Sequence, residues 1–182
     1  KSSHNETFVE AGDIQNINAA NIRRSLQLKR GDLHLLAGGP PCQGFSVNAP
    51  VRSVEDKRNH LFRDYLRFAD EFLPQAILIE NVPGMLSLEK GSTVLNILSI
   101  LKSMGYEANI RILYAPHYGV PQMRWRTIIM ANRLGVDPLL MFPVPTHRAD
   151  GRANFTTKLL GQQVTVDTHR ALNIAKLPFV TV

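Results

Sequence analysis

A single cysteine, Cys42, stands in the run Gly39-Pro40-Pro41-Cys42-Gln43-Gly44-Phe45-Ser46. Two prolines fix the backbone before the thiol, and glycines on either side let a ligand approach closely. A cysteine by itself is most often a small buried hydrophobe. This context turns the reading towards a working thiolate, a nucleophile once nearby positive charge or backbone N–H groups lower its pKa. Glu80 follows Ala76-Ile77-Leu78-Ile79, so its carboxylate is expected at the edge of a core. Burial there would favour the protonated form and let it hold or deliver a proton near neutrality. The plainer alternative is an acid paired with a nearby arginine. Arg124 and Arg126 lie two apart and so face one side of an extended segment, able to meet phosphate, a base carbonyl or solvent. Gly38-Gly39 is a weak phosphate cradle, because the spacing and the lysine of a P-loop are missing.

These groups need elements to hold them. Strand-like and helix-like segments alternate along the first part of the chain, the pattern of an α/β layered sheet. Thr7 to Ala11 reads as a short strand ending at Gly12-Asp13, and Ile17 to Leu28 as a helix with Arg and Lys towards its C-terminal end. Leu33 to Ala37 is a compact apolar run stopped by Gly38-Gly39-Pro40-Pro41, a buried strand entering a constrained loop. The polar stretch Val47 to Asn59 is long for a connection inside such a sheet, and loops of this kind are often functional. Leu61, Tyr65, Phe68 and Phe72 recur at helical spacing and predict a helix that ends before Pro74. Ala76 to Ile79 reads as a second buried strand. A further helix is predicted with Ser92 as its cap, Val94, Ile97, Leu98, Leu101 and Met104 on one face, and Gly105 at the exit. Tyr106 to Ala115 and Thr127 to Ala131 read as strands around the Pro116 to Arg126 loop. Ligands of open α/β sheets bind outside the carboxyl ends of the strands. Parallel neighbours would therefore gather Asp13, Cys42 and Glu80 on one rim.

Composition narrows the class. The 182 residues are 44% hydrophobic and 20% charged, an ordinary globular balance that disfavours disorder, collagen and coiled coil. One cysteine makes neither an intrachain disulfide nor a zinc cluster, so no metal centre is expected. No apolar run reaches the roughly 18–20 residues of a membrane span, and no signal peptide opens the chain. The reading is a soluble, intracellular protein that meets no membrane. Its formal net charge of +6 is compatible with a phosphate-bearing partner.

Three of the motifs together carry a family resemblance. Gly-Pro-Pro-Cys-Gln-Gly-Phe-Ser (39–46), Glu-Asn-Val (80–82) and Gln-x-Arg-x-Arg (Gln122, Arg124, Arg126) occur in the order and rough spacing of the cytosine-C5 DNA methyltransferases. Gly12-Asp13-Ile14, Arg58-Asn59-His60-Leu61-Phe62 and Tyr118-Gly119-Val120-Pro121 resemble its flanking motifs, and Phe142-Pro143-x-Pro145-Thr146-His147 gives a fainter match. The resemblance implies a Rossmann-like S-adenosylmethionine-dependent methyltransferase fold: a mostly parallel sheet with helices on both faces, incomplete at both ends. Residues 1–131 would be the central part of the catalytic domain, and 132–182 an exit segment towards an absent target-recognition domain.

By that resemblance Cys42 would add to C6 of a flipped-out cytosine in double-stranded DNA. S-adenosyl-L-methionine would then methylate C5. Glu80 would hold the N3 and amine edge of the base, Arg126 its O2, and Arg124 would support the site or the mobile loop. Asn81 would hold the backbone near Cys42. Asp13 and Ile14 would clasp the adenine, with Pro41 and Leu61 lining its pocket. The family's Phe-x-Gly-x-Gly loop and ribose-binding acid are not in the sequence. The fragment alone is therefore expected to be inactive, with a complementary chain or segment supplying those parts. The setting would be the cytoplasm or nucleoid of a bacterium, where restriction–modification is one role, or the nucleus of a eukaryote. Two other readings stay open: a transfer-RNA cytosine-C5 methyltransferase of the same fold, and a non-catalytic homologue that uses the fold as a binding scaffold. Gly44-Phe45-Ser46 leans towards DNA.

Overall fold

The computed structural model describes residues 7–41, 61–149, 158–159, 162–166 and 177–178. The apolar run before the double glycine forms β1 (Leu35–Gly38). Helix α2 (Leu61–Phe72) carries the chain across to β2 (Ala76–Asn81), and the two strands pair in parallel, Leu36 beside Ile77 and Gly38 beside Ile79. A parallel pair requires such a crossover, and the helix supplies it. An earlier, shorter helix, α1 (Ala19–Ser25), is capped by the Asn18 side chain and has Arg23 and Arg24 in its last turn. After β2 come a kinked 3-10 segment (Pro83–Gly91), α3 (Ser92–Ser103), β3 (Glu107–Tyr114) and β4 (Trp125–Asn132).

Further strands are short: β5 (His147–Arg148), β6 (Lys158–Leu159), β7 (Gln162–Gln163), β8 (Thr165–Val166) and β9 (Leu177–Pro178). The main sheet runs β1-β2-β4-β3-β8, while β5 pairs with β9 and β6 with β7. The architecture is the expected α/β class, but the sheet is mixed rather than mostly parallel. Strand β4 is antiparallel to both β2 and β3, and only the outer pairings β1–β2 and β3–β8 are parallel. The reason is the short link from Tyr114 to Trp125. It contains only the 3-10 turn Ala115–Tyr118 and a loop, too little chain for a helical crossover, so β4 returns alongside β3.

Residues paired across the sheet share a face. One face carries Ile77, Ile79, Ile129, Ala131, Ile110 and Ile112, and it packs into a single core with Phe62, Tyr65, Leu66 and Ala69 of α2 and Val94, Ile97 and Leu101 of α3. Burying each large apolar side chain stabilises the fold by about 1.5–3 kcal/mol. The opposite face carries Leu35, Ala37, Leu78, Met130, Ile128 and Leu113, none of them buried among the described residues. Phe142, after the turn Pro138–Met141, covers one corner of it beneath the Arg111 guanidinium, 5.3 Å from the ring centroid. Helices α2 and α3 both pack on the first of these faces.

Several boundaries differ from expectation. Thr7 to Ala11 forms no strand, because its backbone has no pairing partner among the described residues. The first helix is shorter, ending at Ser25, with Gln27 at a positive φ of 56° turning the chain. Ser92 does not cap α3. Gly91, at φ 100°, takes the cap position, and the Ser92 hydroxyl bonds to Glu89 O at 3.0 Å. Gly105 exits α3 at φ 86°, as its lack of a Cβ suggested. No helix among the described residues is long and apolar enough to cross a membrane.

Candidate active site

Strand β2 continues two residues past its apolar run, so Glu80 and Asn81 sit within the strand and point to opposite faces. Asn81 faces the core and is 5% exposed. Its Nδ2 donates to Pro40 O at 2.8 Å, and its Oδ1 accepts from Val82 N at 2.9 Å. One amide thereby ties the end of β2 to the turn leaving β1, two residues before Cys42. Cys42 itself, with Gln43 to His60, lies outside the described residues.

Glu80 emerges on the half-open face. Strand pairing sets it opposite Ile128, and the diagonal neighbour Arg126 donates from Nε to Glu80 Oε1. Arg126 also donates from Nη1 to Trp125 O at 2.8 Å, which fixes the guanidinium plane. The Glu80 side chain is 43% exposed and that of Arg126 23% exposed. The burial expected of Glu80 is therefore missing. A one-sided strand leaves the carboxylate at the solvent edge, and the arginine pairing is what forms. A carboxylate accepting N–H donors beside a guanidinium donating to oxygen matches the edge of a polar heterocycle that bears an amine and a carbonyl. Gly39 leaves room for it: a Cβ there would stand 3.0 Å from Glu80 Oε2.

Arg124 precedes β4 and is exposed, so it does not join Arg126 on the extended strand. The approach to it is apolar, with Val120 and Met123 exposed. Within that approach Gly119 holds a left-handed φ of 78°, and the His147 ring lies against it, its Cε1 2.8 Å from where a Cβ would be. Trp125, between the two arginines, stacks on Tyr114 with ring centroids 4.2 Å apart.

On the other side of Gly38-Gly39-Pro40-Pro41 lies a cavity of about 290 Å³, lined by Ile14, Leu36, Ala37, Gly38, Gly39, Pro40, Pro41, Leu61, Tyr65 and Phe68. Three of the expected cofactor residues, Ile14, Pro41 and Leu61, meet there. The walls are mainly apolar and the volume suits a flat heteroaromatic ring such as adenine. Asp13 is exposed and faces the neighbouring cavity, and its Oδ1 accepts from Gln15 N at 3.0 Å. That bond caps the 3-10 turn Ile14–Asn16 and so presents Ile14.

Two residues that the motifs did not single out for the site brace it. Arg67 donates to Ile14 O at 2.8 Å and Ile17 O at 2.9 Å, holding the Asp13–Ile14 segment against α2. Tyr65 donates to Leu36 O at 3.0 Å and Leu78 O at 3.1 Å. Burial pushes its phenol far above the ordinary tyrosine range, with nearby Tyr106 adding to the shift, so it remains a donor. Arg67 lies on the solvent side of an amphipathic pattern, which signals nothing beyond a solvated face.

Known proteins resemble this chain in sequence and in fold. Type II methyltransferase M.AgeI of Thalassovita gelatinovora is 37% identical over 81% of this chain, which spans 34% of that relative. Type II methyltransferase M.AquIA of a Picosynechococcus strain is 34% identical over 87% of this chain, which spans 66% of it. The chain thus covers between a third and two thirds of the length of these relatives. A DNMT2 mutant from Spodoptera frugiperda has the same fold, with a TM-score of 0.52 at 23% identity over 87% of this chain and 44% of its own. The profile of the C-5 cytosine-specific DNA methylases matches residues 3–172, which span the cavity, the Glu80–Arg126 pair and the Asn81 tie alike, and the chain belongs to that family.

Proposed function

We propose that the protein carrying this chain is a DNA (cytosine-5-)-methyltransferase acting on double-stranded DNA. The observation that carries the reading is the Glu80–Arg126 pair, set one residue from the amide that holds Pro40. The Cys42 thiolate adds to C6 of the target cytosine. Glu80 holds the N3 and amine edge of the base and supplies or shares a proton at N3 as negative charge builds on the ring, while Arg126 donates to O2. S-adenosylmethionine, when bound, would supply the methyl group to C5 and leave as S-adenosylhomocysteine. The C5 proton then leaves to a base and the thiolate is eliminated, giving 5-methylcytosine. Because C6 of a stacked base is closed to such attack, the nucleotide is flipped out of the duplex.

Ile14, Pro41 and Leu61 line the adenine pocket, with Asp13 reaching from its rim. Arg124, exposed just before β4, supports the site or meets a DNA phosphate. The half-exposed apolar face of the sheet supports a covering segment, in the same chain or a complementary one, and residues 132–182 lead towards a target-recognition domain. The setting is intracellular, where DNA is met.

The test is covalent trapping. Duplex DNA containing 5-fluorocytosine is incubated with tritiated S-adenosylmethionine and the intact protein, then with the Cys42→Ala variant. A labelled, denaturant-stable adduct formed by the first and absent from the second is expected. Adduct on fluorinated transfer RNA but not on DNA would move the substrate to RNA. Methyl incorporation that survives Cys42→Ala would overturn the mechanism. Residues 1–182 alone are expected to give no turnover in the same assay.

A further inference from the structure

Tyr65 lies where two requirements of the proposed reaction meet. Its ring occupies the space above Gly38, where a Cβ would come within 2.6 Å of Cε2 and 2.9 Å of Cδ2. Position 38 is therefore closed to any side chain while Tyr65 is present. Its hydroxyl reaches the carbonyls of Leu36 and Leu78, one on each of the two parallel strands. Those carbonyls come two residues before Gly38 and Glu80 respectively. A single donor spanning both strands at this level opposes any shear of β1 along β2. Shear would displace Gly39-Pro40-Pro41, the segment that leads to Cys42, relative to Glu80. The Asn81 bond to Pro40 O is a second tie, four residues further along from Leu36. The same Tyr65 ring lines the cavity with Ile14, Pro41 and Leu61.

We propose that Tyr65 is a positioning residue with two separable parts: its hydroxyl sets the register of the nucleophile-bearing turn against Glu80, and its ring forms the floor of the cofactor pocket. The inference rests on the methyltransferase reading. Misplacing reacting groups by about 1 Å can cost up to about a hundredfold in rate, so a small slip would be felt chiefly in the chemical step. Loss of the ring would instead weaken cofactor binding and appear in the KM.

The experiment compares Tyr65→Phe and Tyr65→Leu with the parent in the intact protein. The readouts are kcat, the KM for S-adenosylmethionine, calorimetric affinity for S-adenosylhomocysteine, melting temperature, and hydrogen exchange at Gly38 and Gly39. Tyr65→Phe is expected to lower kcat and adduct formation by about tenfold while leaving the KM within about twofold, with faster exchange at Gly38 and Gly39. Tyr65→Leu is expected to raise the KM and weaken S-adenosylhomocysteine binding by about tenfold. An unchanged kcat in Tyr65→Phe overturns the register role. So does a fall in kcat accompanied by an equal loss of folded protein. A parent protein that neither binds S-adenosylhomocysteine nor traps DNA refutes the methyltransferase reading. In that case unchanged exchange at Gly38 and Gly39 in Tyr65→Phe refutes the clamp independently.

Discussion

The two faces of the central sheet are made from the same strands and do different work. Along β2 the residues alternate Ala76, Ile77, Leu78, Ile79, Glu80, Asn81, and the alternate members Ile77, Ile79 and Asn81 are buried while the others are half-exposed. The same division runs through β3 and β4. The covered face holds the fold together. The open face presents the Glu80–Arg126 pair, together with apolar groups that remain uncovered among the described residues. On the proposed reading, stability and chemistry are carried by neighbouring residues on one backbone. A strand with period 2 can separate them at single-residue resolution.

That separation can be attacked from both sides. Glu80→Gln should cause the largest effect, a loss of about 10²–10⁴-fold in methyl transfer on the proposed role, because the base edge loses its proton partner. Its melting midpoint should barely move, since half-exposed ion pairs contribute only about 0–1 kcal/mol. A denaturation curve measured beside the activity assay checks both halves. A large drop in stability would mean that the open face is structural after all.

The reverse pattern is expected one strand over. Ile129 is fully buried and its neighbour Met130 is not. Ile129→Ala should cost about 2–5 kcal/mol in urea unfolding. Met130→Ala should cost less than about 1 kcal/mol in residues 1–182, and should approach the core value in the intact protein if a further segment covers that face. Equal small costs in both settings would remove the covering segment.

Asn81 belongs to the covered face yet serves the site. Asn81→Ala leaves Pro40 O and Val82 N without their partner, for a loss of about 1–3 kcal/mol, together with slower adduct formation. Activity unchanged beside a full stability loss would show that the tie only holds the fold. The smallest effect lies at high pH. Burial pushes the buried Tyr106 phenol up to about 12, opposed by Arg133 and Arg30 and reinforced by Asp70. Its folded-state pKa thus lies above the unfolded value, so the contribution is complete below about pH 10 and is lost as pH rises towards about 12. Tyr106→Phe should flatten that part of a stability–pH profile; an unchanged slope would exclude Tyr106 as its source.

Legibility in the sequence followed how local the cause was. The helix over Leu61–Phe72 was readable from spacing alone, because its face is repeated four times in twelve residues. Glu80 was marked by the apolar run before it, but the reach of Arg126 across from β4 depends on strand order, which the residues near Glu80 do not encode. The antiparallel direction of β4 has a similar origin: it is decided by the length of the link, and the Pro116 to Arg126 sequence reads only as a loop. Thr7 to Ala11 reads as a strand but has no pairing neighbour among the described residues, and a strand is defined by its partner. Ser92 carried the chemistry of a cap, but a left-handed glycine one residue earlier took the position. Arg67 and Tyr65 act through tertiary contacts with backbone carbonyls, for which no local pattern exists.

The imidazole of His147 resting on Gly119 ties the history of two positions together. A side chain at 119 would meet both an unfavourable φ and the ring already in that space. Either the ring shifts or His147 gives way to a smaller residue before bulk fits at 119, and even then the backbone conformation disfavours it. The residue types open to position 119, in the loop entering the arginine strand, thus depend on a contact made by position 147.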